Sequence, residues 1–457
     1  MEQMTLREIA DAVGGRLLRS DGTAQISEVS IDSRSVDGAT LFVALKGERF
    51  DGHDFLHDVF QRGGVAISQK DIGEGAMILV EDTRLALGAL AKYYRSKFGL
   101  PVIGVTGSVG KTSTRGMIEC VLSTAGEICA TRGNLNNDIG LPRTLLTLRP
   151  AHRFAVIEMG MNHAGEIRYL TRITRPDIAV ITNIGTAHIG NLGSREGILR
   201  AKLEILEGLP PKGLALLNGD DGMLFAQKNK LPFRAVSYGI HNAACDLLAE
   251  RVICGAMESK FYVNGDMFIV HAPGEHHVYN ALAAIAVGLE FRLPVSDIQT
   301  GVGAFRPSGM RQAIIETGGV RMIEDCYNAN ADSMEAALAV LAASGAGGRK
   351  IAVLGDMYEL GEFTEPEHRR VGDCAARHHI DLLITVGEYA RFISEQAKKN
   401  GVPVIQAGAN QEALAAVLDI LKEQDTVLVK ASRGARFEEI SRGIQAHFSA
   451  APAPSQC

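Results

Sequence analysis

One segment of the sequence constrains the fold more than any other: PVIGVTGSVGKTSTRGMIECVL, which begins at Pro101. Its first residues form an apolar run typical of a buried strand, and its last residues have helical periodicity. Between them lies a turn with two glycines, a lysine and three hydroxyl residues. Glycine lets backbone N–H groups point inward, and the first turn of a helix carries partial positive charge. The segment therefore predicts a phosphate-binding loop.

The residues of this loop suggest how it would hold a nucleotide. They are Gly107, Ser108, Val109, Gly110, Lys111, Thr112 and Ser113. The lysine would reach the β- and γ-phosphates, and the hydroxyl of Thr112 or Ser113 would bind Mg²⁺. The strict motif has Gly or Ala at the position of Val105, so the loop is a variant. In the alternative interpretation the glycines only relieve strain, but such a turn does not require Lys-Thr-Ser at the start of a helix.

Composition limits the classes of function. The chain has 457 residues, 46% of them hydrophobic, which indicates a globular protein of several domains. Its net charge of −6 gives no basic surface for nucleic acid. The seven cysteines include no CxxC pair, so neither a disulfide framework nor a zinc ribbon is expected. Since no apolar run approaches the ~20 residues of a membrane span, we expect a cytoplasmic protein.

The order of the predicted elements gives an α/β protein with three domains, over residues 1–84, 85–312 and 313–457. In the second, PVIGVTG, FAVIEMG, DIAVITNIG and GLALLNGDD are apolar almost throughout, as are strands buried in a parallel sheet. FRAVSYGI, SKFYVNG and MFIVHAPG are predicted to be shorter, more antiparallel strands. The third domain repeats the alternation of strand and helix, and we expect its tail FSAAPAPSQC to be disordered.

Several motifs resemble those of the Mur ligases of peptidoglycan synthesis. They include IDSRSVDGATLFVALKGERFDGHDF, GNLNNDIGLP, FAVIEMGMNHAGEI, YNANADSM, LGDMYELGE and KASRGARFE. The resemblance implies a small α/β domain that binds a UDP-sugar, a central ATPase domain with a parallel sheet, and a doubly wound, Rossmann-like third domain. It also implies ATP-dependent addition of D-alanyl-D-alanine to UDP-MurNAc-tripeptide, in the cell-wall synthesis on which cell shape and division depend.

Three residues are candidates for the chemistry beside the phosphates. Glu158 ends an apolar strand, where a carboxylate faces the usual ligand crevice and suits Mg²⁺, although a solvated acid is the alternative. On sequence alone, His188 is more typical of a structural histidine and Lys202 of a solvated helix residue. The resemblance implies Mg²⁺ binding by Glu158, a second Mg²⁺ at His188, and a carbamate, formed from CO₂, on Lys202. Asn183 is expected only to shape the turn before His188.

Polar residues near the junction of the second and third domains are candidates for nucleotide binding. Asn280 would contact adenine by resemblance, or it would be a buried polar bridge. Arg311 could reach the γ-phosphate when the domains close, and Asp325 could accept from the ribose hydroxyls. Asn328 and Asn330 would shape the same wall.

The remaining candidates for substrate binding are Asn134, Asn136, Asn137, Lys430, Arg433, Ser33, Arg34 and Lys46. The three asparagines share a loop and could bind substrate or simply form a turn. The basic pair in VKASRG could receive the acidic end of the incoming peptide, or start a helix. The last three could contact the UDP-sugar, or serve the turns of a compact fold.

The sequence departs from the family pattern at Val109, Ala331 and Ala431, where a polar residue, a proline and a glycine are usual. The geometry of the peptide site therefore stays open. The closest alternative function is that of a sibling ligase, which adds a single amino acid to the same precursors or glutamate to a folate. Another is a regulatory protein that binds nucleotide without synthesis. Nothing indicates an obligate dimer, so we expect a monomer.

Overall fold

The computed structural model describes residues 1–307, 309–344 and 347–449. The predicted disordered tail lies outside them. The described chain forms three blocks, each built on its own sheet, and the predicted α/β class is confirmed. Across the described ranges no helix combines the length and apolar character that a membrane crossing needs.

The first block is built on a five-stranded sheet. Its elements are β1 (Met4–Thr5), α1 (Leu6–Val13), β2 (Arg16–Leu18), β3 (Gln25–Ile26), β4 (Glu28–Ser30), β5 (Thr40–Val43), α2 (Leu56–Gln61), β6 (Val65–Ser68), β7 (Met77–Leu79) and α3 (Thr83–Ser96). The strand order is β2-β7-β6-β5-β4, and only β2 pairs antiparallel. Side chains alternate between two cores, with Leu41 and Val43 in one and Phe42 in the other. α3 crosses the predicted boundary at 84/85, which stays a prediction.

The central block contains a parallel sheet of seven strands. Its elements are β8 (Val102–Thr106), α4 (Lys111–Ser123), β9 (Glu127–Ala130), α5 (Gly140–Leu145), β10 (His152–Glu158), α6 (Glu166–Thr174), β11 (Ile178–Ile181), α7 (Ile189–Leu192), α8 (Arg195–Leu203), β12 (Leu214–Asn218), α9 (Gly222–Phe225), β13 (Arg234–Gly239), β14 (Leu247–Leu248), β15 (Glu250–Cys254), β16 (Ser259–Val263), β17 (Asp266–Val270), α10 (Glu275–Glu290) and α11 (Val295–Ala304). The strand order is β14-β13-β12-β11-β8-β10-β9.

One strand of this block differs from its prediction. FRAVSYGI forms β13, which pairs in parallel with β12 and belongs to the main sheet. The prediction of an antiparallel strand is wrong because the first residues of β13, near the sheet edge, are only partly buried, so its pattern is less uniformly apolar. The other two segments form β16 and β17, which do pair antiparallel with each other.

The third block is a six-stranded sheet covered by helices on both faces. Its elements are β18 (Ala313–Thr317), β19 (Val320–Glu324), α12 (Ala331–Ala343), β20 (Lys350–Gly355), α13 (Thr364–Arg377), β21 (Leu382–Val386), α14 (Ala390–Lys399), β22 (Val404–Ala407), α15 (Asn410–Ile420), β23 (Thr426–Lys430) and α16 (Glu438–Ser449). The order is β18-β19-β23-β20-β21-β22, with only β18 antiparallel. Ala352 and Leu354 face the core of α12 to α14, whereas Ile351 and Val353 face that of α15 and α16. This is the predicted doubly wound arrangement.

The sheet topology places the candidate residues together. β8 lies between β10 and β11 in the central sheet. The phosphate loop follows β8, Glu158 ends β10, and His188 lies in the segment after β11. Because the carboxyl ends of parallel strands meet at one edge of a sheet, these segments converge where ligands bind in open α/β folds.

Candidate active site

A cleft of about 580 Å³ lies where the carboxyl edge of the central sheet faces the third block. It brings together most of the residues that the sequence singles out. Those that line it are Ser108, Val109, Gly110, Lys111, Thr112, Ser113, Asn134, Asn136, Asn137, Glu158, His188, Asn280, Arg311, Asp325, Asn328, Asn330, Lys430 and Arg433. Segments far apart in the sequence therefore share one site.

Two glycines give the phosphate loop its shape. Gly110 caps α4 in the left-handed conformation, with φ 84°, which disfavours any side chain. A Cβ on Gly107 would lie 1.8 Å from Oγ1 of Thr182. The loop therefore lies against the end of β11, and the first N–H groups of α4 are available to an anion.

The segment after β11 holds this loop in place. The side chain of Asn183 accepts from the backbone N–H of Val109 at 2.9 Å and donates to the Val109 carbonyl at 3.0 Å. Oγ of Ser108 accepts from the N–H of Gly185 at 2.9 Å. Asn183 thus fixes the conformation of the phosphate loop, a role beyond the local turn that the sequence suggested.

Lys111 folds back over the loop. Its Nζ donates to the carbonyl of Gly107 at 2.8 Å and to that of Ser108 at 3.3 Å. Burial lowers the pKa of Lys111, and the carboxylate of Glu158 opposes this shift. Arg311 adds a nearby positive charge that also lowers this pKa. The cleft therefore gathers positive charge beside the loop, as a polyphosphate requires.

Thr112 and Glu158 meet on one side of the cleft. The Thr112 hydroxyl donates to Oε2 of Glu158 at 2.8 Å, and Nδ2 of Asn136 donates to Oε1 at 2.7 Å. Glu158 is 1% exposed, so it is not the solvated acid of the alternative interpretation. A hydroxyl and a carboxylate are hard oxygen donors that suit Mg²⁺. In the described parts of the chain no group of three or more His, Cys, Asp or Glu could hold a metal ion.

His188 lies on the side of the cleft that faces the third block. Its backbone is left-handed, with φ 62°, where it caps α7. Its Nδ1 is 2.5 Å from Oε2 of Glu359, which lies in the LGDMYELGE segment of the third block. The hydrogen bond to His188 lowers the pKa of Glu359. His188 is therefore held by a carboxylate from a different block.

Lys202 is buried on α8 and is 1% exposed. Within the described residues its side chain forms no hydrogen bond or ion pair, and the carboxylate of the nearby Glu204 instead accepts from the N–H of Gly165 at 2.8 Å. Burial, followed by the charge of Lys111, lowers the pKa of Lys202 well below its usual value. Lys202 is therefore not the solvated helix residue that the sequence alone favours, and its amine is uncharged more readily than that of an ordinary lysine.

Asn280 forms a buried bridge between α10 and α4. It is 5% exposed, and its Oδ1 accepts from the hydroxyl of Thr114 at 2.8 Å. On the same helix, His277 is 2% exposed, and its Nε2 has no hydrogen-bond partner among the described residues. A buried polar atom without a partner is uncommon and can be satisfied by a ligand. Asn280 thus combines both readings of the sequence, since it bridges two helices and also lines the cleft.

Asp325 and Lys430 form a buried ion pair on the opposite wall. Nζ of Lys430 donates to Oδ2 of Asp325 at 2.8 Å and to the carbonyl of Asn328 at 3.0 Å. Burial raises the pKa of Asp325, and the ammonium group of Lys430 opposes this shift. Lys430 ends a strand, so the expectation that it could start a helix is wrong. Both charged groups already have a partner within the protein.

Tyr327 lies close to two arginines of this wall. The guanidinium of Arg311 lies 3.9 Å from the centre of its ring, and that of Arg433 lies 6.0 Å away. Arg433 also forms an ion pair with Glu438 at 3.4 Å. A guanidinium over an aromatic face is stabilised and orientated by it. Tyr327 therefore holds Arg311 in position at the edge of the cleft.

Three asparagines of the cleft also have local roles. Oδ1 of Asn137 accepts from the N–H of Gly140 at 2.8 Å, and Oδ1 of Asn330 accepts from that of Ser333 at 2.9 Å in a capping box. The carbonyl of Asn134 accepts from Asn136 in the same loop. These contacts are those of turn and cap formation, the alternative that the sequence left open.

The candidates of the first block lie outside this cleft. Ser33 begins a short 3₁₀ turn capped by Asp32, whose carboxylate also accepts from Arg34 at 2.7 Å. The Arg34 side chain is 86% exposed. Lys46 forms an isolated bridge with Asp51. The structure therefore does not bring these residues to the phosphate loop.

Sequence reasoning missed several residues of the site. Besides His277, four residues that line the cleft without having been assigned are His276, Gln312, Tyr327 and Glu359. His276 is hydrogen bonded to Gln312 at 2.6 Å. Tyr327 lies in the motif YNANADSM and Glu359 in LGDMYELGE, both of which carry the resemblance. Their place in these motifs was the signal that could have identified them. Their contacts join segments distant in sequence, which no local pattern shows.

The comparisons with known proteins agree along the whole chain. Three family models match: the Mur ligase family catalytic domain over residues 25–95, the Mur ligase middle domain over 105–288, and the Mur ligase glutamate ligase domain over 310–433. The curated UDP-N-acetylmuramoyl-tripeptide--D-alanyl-D-alanine ligase of Bacillus subtilis (strain 168) is 40% identical, over 97% of this chain and 99% of its own length.

Solved structures give the same result. A crystal structure of MurF from Acinetobacter baumannii matches with a TM-score of 0.91 and 34% identity, and the match covers 98% of this chain and 99% of that one. MurF ligase from Thermotoga maritima in complex with ADP matches with a TM-score of 0.83 and 26% identity, over 92% of this chain and 98% of that one.

Proposed function

The chain belongs to the Mur ligase family, and from this we propose that it joins D-alanyl-D-alanine to UDP-MurNAc-tripeptide with the hydrolysis of ATP to ADP and phosphate. The observation that carries the proposal is the phosphate loop, whose lysine lies beside a buried carboxylate at the edge of a cleft that two blocks enclose. The relatives named above, which carry this activity in their names, support the choice of substrates.

ATP would lie with its triphosphate on the phosphate loop. The N–H groups at the start of α4 and the ammonium of Lys111 would neutralise the β- and γ-phosphates. Asn280 and the unpartnered Nε2 of His277 offer polar contacts to the base. Arg311, held against Tyr327, would approach the phosphates from the third block. The relative from Thermotoga maritima that was solved with ADP supports nucleotide binding in this fold.

Mg²⁺ is the metal that the donor set suits. Thr112 and Glu158 would hold one ion, and His188 would contribute to a second. Bound Mg²⁺ would neutralise the charge that builds on the transferred phosphoryl group.

We further propose a carbamate on Lys202, because a buried amine without a hydrogen-bonding partner loses its proton easily and the neutral amine attacks CO₂. The carbamate would carry an oxygen-rich negative charge toward the metal sites.

The chemistry would proceed in two steps that the cleft would hold in line. A carboxylate oxygen of the tripeptide attacks the γ-phosphorus of ATP, so an acyl phosphate forms and ADP leaves. The amine of D-alanyl-D-alanine then attacks the acyl carbon, and the tetrahedral intermediate releases phosphate and a proton as the amide forms. Positioning and charge neutralisation supply most of the rate enhancement in such reactions. The two facing blocks provide both.

The dipeptide would bind at the third-block wall of the cleft, and the UDP-sugar would bind outside the cleft on the first block. Arg433 and the region of Lys430 would receive the dipeptide carboxylate, and Ser33, Arg34 and Lys46 of the first block would contact the UDP-sugar. The cytoplasmic location and the monomeric state predicted from the sequence stay predictions.

The decisive experiment measures phosphate release. The protein is incubated with ATP, Mg²⁺ and UDP-MurNAc-tripeptide, and D-alanyl-D-alanine, single amino acids or no amine are added. We expect release only with the dipeptide, and a product whose mass equals the sum of the two substrates less one water. Turnover with a single amino acid instead would identify a sibling ligase. Slow hydrolysis that is indifferent to every amine would reject synthesis altogether.

A further inference from the structure

We propose that Glu359, from the third block, positions the ring of His188, from the central block, so that the metal-binding edge of the cleft is completed only when the two blocks are docked. This inference rests on the proposed function. It assigns a role to Glu359, which contacts neither the phosphate loop nor Glu158 in the described structure. Both metal binding and docking of the two blocks would then depend on the contact between Glu359 and His188.

The contact itself is specific. Oε2 of Glu359 lies 2.5 Å from Nδ1 of His188. A carboxylate only accepts, so Nδ1 must carry the proton. In the neutral ring, Nε2 is then the nitrogen with a free lone pair, and this is the tautomer that binds a cation. Carboxylates that fix metal-binding histidines in this way are common supports of metal sites.

The third block forms hydrogen bonds with the segment around His188 at two further points. Oδ2 of Asp332 accepts from the N–H of Thr186 at 2.8 Å. The backbone carbonyl of Glu359 accepts from the N–H of Gly190 at 3.2 Å. Contacts from the third block therefore lie on both sides of His188 in the chain. Its left-handed backbone, a conformation that is unfavourable outside glycine, is held by these neighbours.

The backbones of the two blocks pack closely against each other near His188. A Cβ on Gly190 would lie 2.8 Å from the N–H nitrogen of Gly361, and a Cβ on Gly185 would lie 2.1 Å from Oδ2 of Asp332. The position of Gly190 therefore requires glycine for the blocks to dock this closely, whereas a side chain at Gly185 would displace the carboxylate of Asp332. If the blocks separate, Thr186, His188 and Gly190 lose their partners in the third block.

Glu359 is held by a rigid loop. The N–H of Met357 donates to Nε2 of the fully buried His368 at 3.1 Å, and the N–H of Tyr358 donates to Oγ of Ser432 at 3.1 Å. The backbone that carries Glu359 is therefore fixed next to His188, and the hydrogen bond to Nδ1 of His188 orients its half-exposed carboxylate. Because coupling between two sites is reciprocal, a cation bound at His188 would also favour the docked arrangement.

The test uses Mn²⁺ as the probe, with a non-hydrolysable ATP analogue, on the full chain. Pulsed EPR detects a nitrogen ligand to Mn²⁺, and titration gives the Mn²⁺ affinity. We expect a histidine nitrogen signal in the wild-type protein that disappears in His188→Ala. In Glu359→Ala we expect a weaker signal and a Mn²⁺ affinity lower by about tenfold. Glu359→Gln, which still accepts from Nδ1, should retain most of both.

Two controls separate positioning from general damage. Glu362→Ala removes an exposed carboxylate three residues away that forms no ion pair in the described structure, and it should match the wild type. In the double variant His188→Ala with Glu359→Ala, the second change should add nothing to the loss of Mn²⁺ affinity. Unchanged affinity and signal in Glu359→Ala, at an unchanged melting temperature, would overturn the proposal, and so would an equal loss in Glu362→Ala.

The experiment can be read without turnover. If the wild-type protein binds the nucleotide and Mn²⁺ but releases no phosphate with D-alanyl-D-alanine, the proposed ligase activity fails while the Glu359 result stands by itself. If turnover is normal and Glu359→Ala keeps its nitrogen signal, only the positioning role fails.

Discussion

The two walls of the cleft hold their lysines in different ways. In the central block, Lys111 belongs to one short loop and donates only to backbone carbonyls of that loop. In the third block, Lys430 pairs with Asp325, a carboxylate more than a hundred residues away in the chain. The first arrangement can be exchanged for a ligand, because carbonyls are neutral acceptors. The second is part of the support of the fold, because an unpaired charge there would be costly.

This difference teaches that the same side chain can serve binding or stability according to its partner. A carbonyl-bound ammonium in a positively charged cleft offers its charge to an incoming anion. An ammonium bound to a buried carboxylate has already neutralised its charge. The variants below test whether the two lysines differ in this way.

The largest effect is expected on the third-block side. Lys430→Met leaves the carboxylate of Asp325 buried and unpaired, so the stability of this block should fall by about 3–5 kcal/mol. Urea unfolding followed by circular dichroism measures the loss. The double variant Asp325→Asn with Lys430→Met removes both charges and should recover most of it. A single variant as stable as the wild type would contradict the structural role of this lysine.

On the phosphate-loop side the loss should appear in activity and not in stability. Lys111→Ala removes the charge beside the transferred phosphoryl group, and phosphate release should fall on the order of 10²–10³-fold or more. Its melting temperature should stay close to that of the wild type, because only two hydrogen bonds to carbonyls are lost. Lys212→Ala, an exposed lysine of the same block, is the matched control. If Lys111→Ala retained most of its turnover, the assignment of the loop would be wrong.

A third lysine, Lys202, tests the comparison through pH. Its folded-state pKa lies well below the usual 10.5, so between these two values the unfolded chain binds more protons and the stability of the wild type rises with pH. Lys202→Met has no such group. In buffers free of CO₂, we expect the variant to melt above the wild type near pH 7, with a difference that shrinks as the pH approaches 10.5. Lys212→Met should show no pH-dependent difference, and the same absence in Lys202→Met would argue against the burial.

The smallest effect concerns the contact between Arg311 and Tyr327 on the third-block wall. Tyr327→Leu removes the aromatic face beneath Arg311, an interaction of about 0.5–2 kcal/mol. The KM for ATP should rise a few-fold to about tenfold, whereas Tyr327→Phe, which keeps the face, should behave like the wild type. Steady-state kinetics at saturating D-alanyl-D-alanine measure this. An equal change in both variants would assign the role to the hydroxyl group.

The sequence predicts the central wall better than the third-block wall. The phosphate loop is contiguous, and its glycines, lysine and hydroxyl residues carry their chemistry in order, so a local pattern is sufficient to find it. Glu158 is found because it ends an apolar strand. The parallel sheets are found because their strands are apolar throughout. What these features share is that neighbours along the chain decide them.

The rest depends on tertiary contacts. The burial of Lys202 follows from how α8 packs, and its helix sequence gives no sign of it. Tyr327 and Glu359 act through residues from other segments. β18 and β19 were missed as strands, although Gly318 and Gly319, both with positive φ, form the tight turn between them that a two-glycine hairpin would predict. Residues that come into contact only in the folded chain lie at no regular spacing in the sequence, so no local pattern predicts their contact.

The position of Lys111 has a further consequence for selectivity. Its ammonium is already solvated by two carbonyls of its own loop, so an anion that enters must replace these contacts and binding becomes an exchange. A single small anion, such as inorganic phosphate, replaces them at little net gain. A polyphosphate chain also accepts hydrogen bonds from the backbone N–H groups of α4, and this additional binding free energy compensates for the lost carbonyl contacts. We therefore expect the loop to bind a polyphosphate in preference to orthophosphate, which is a product of the proposed reaction.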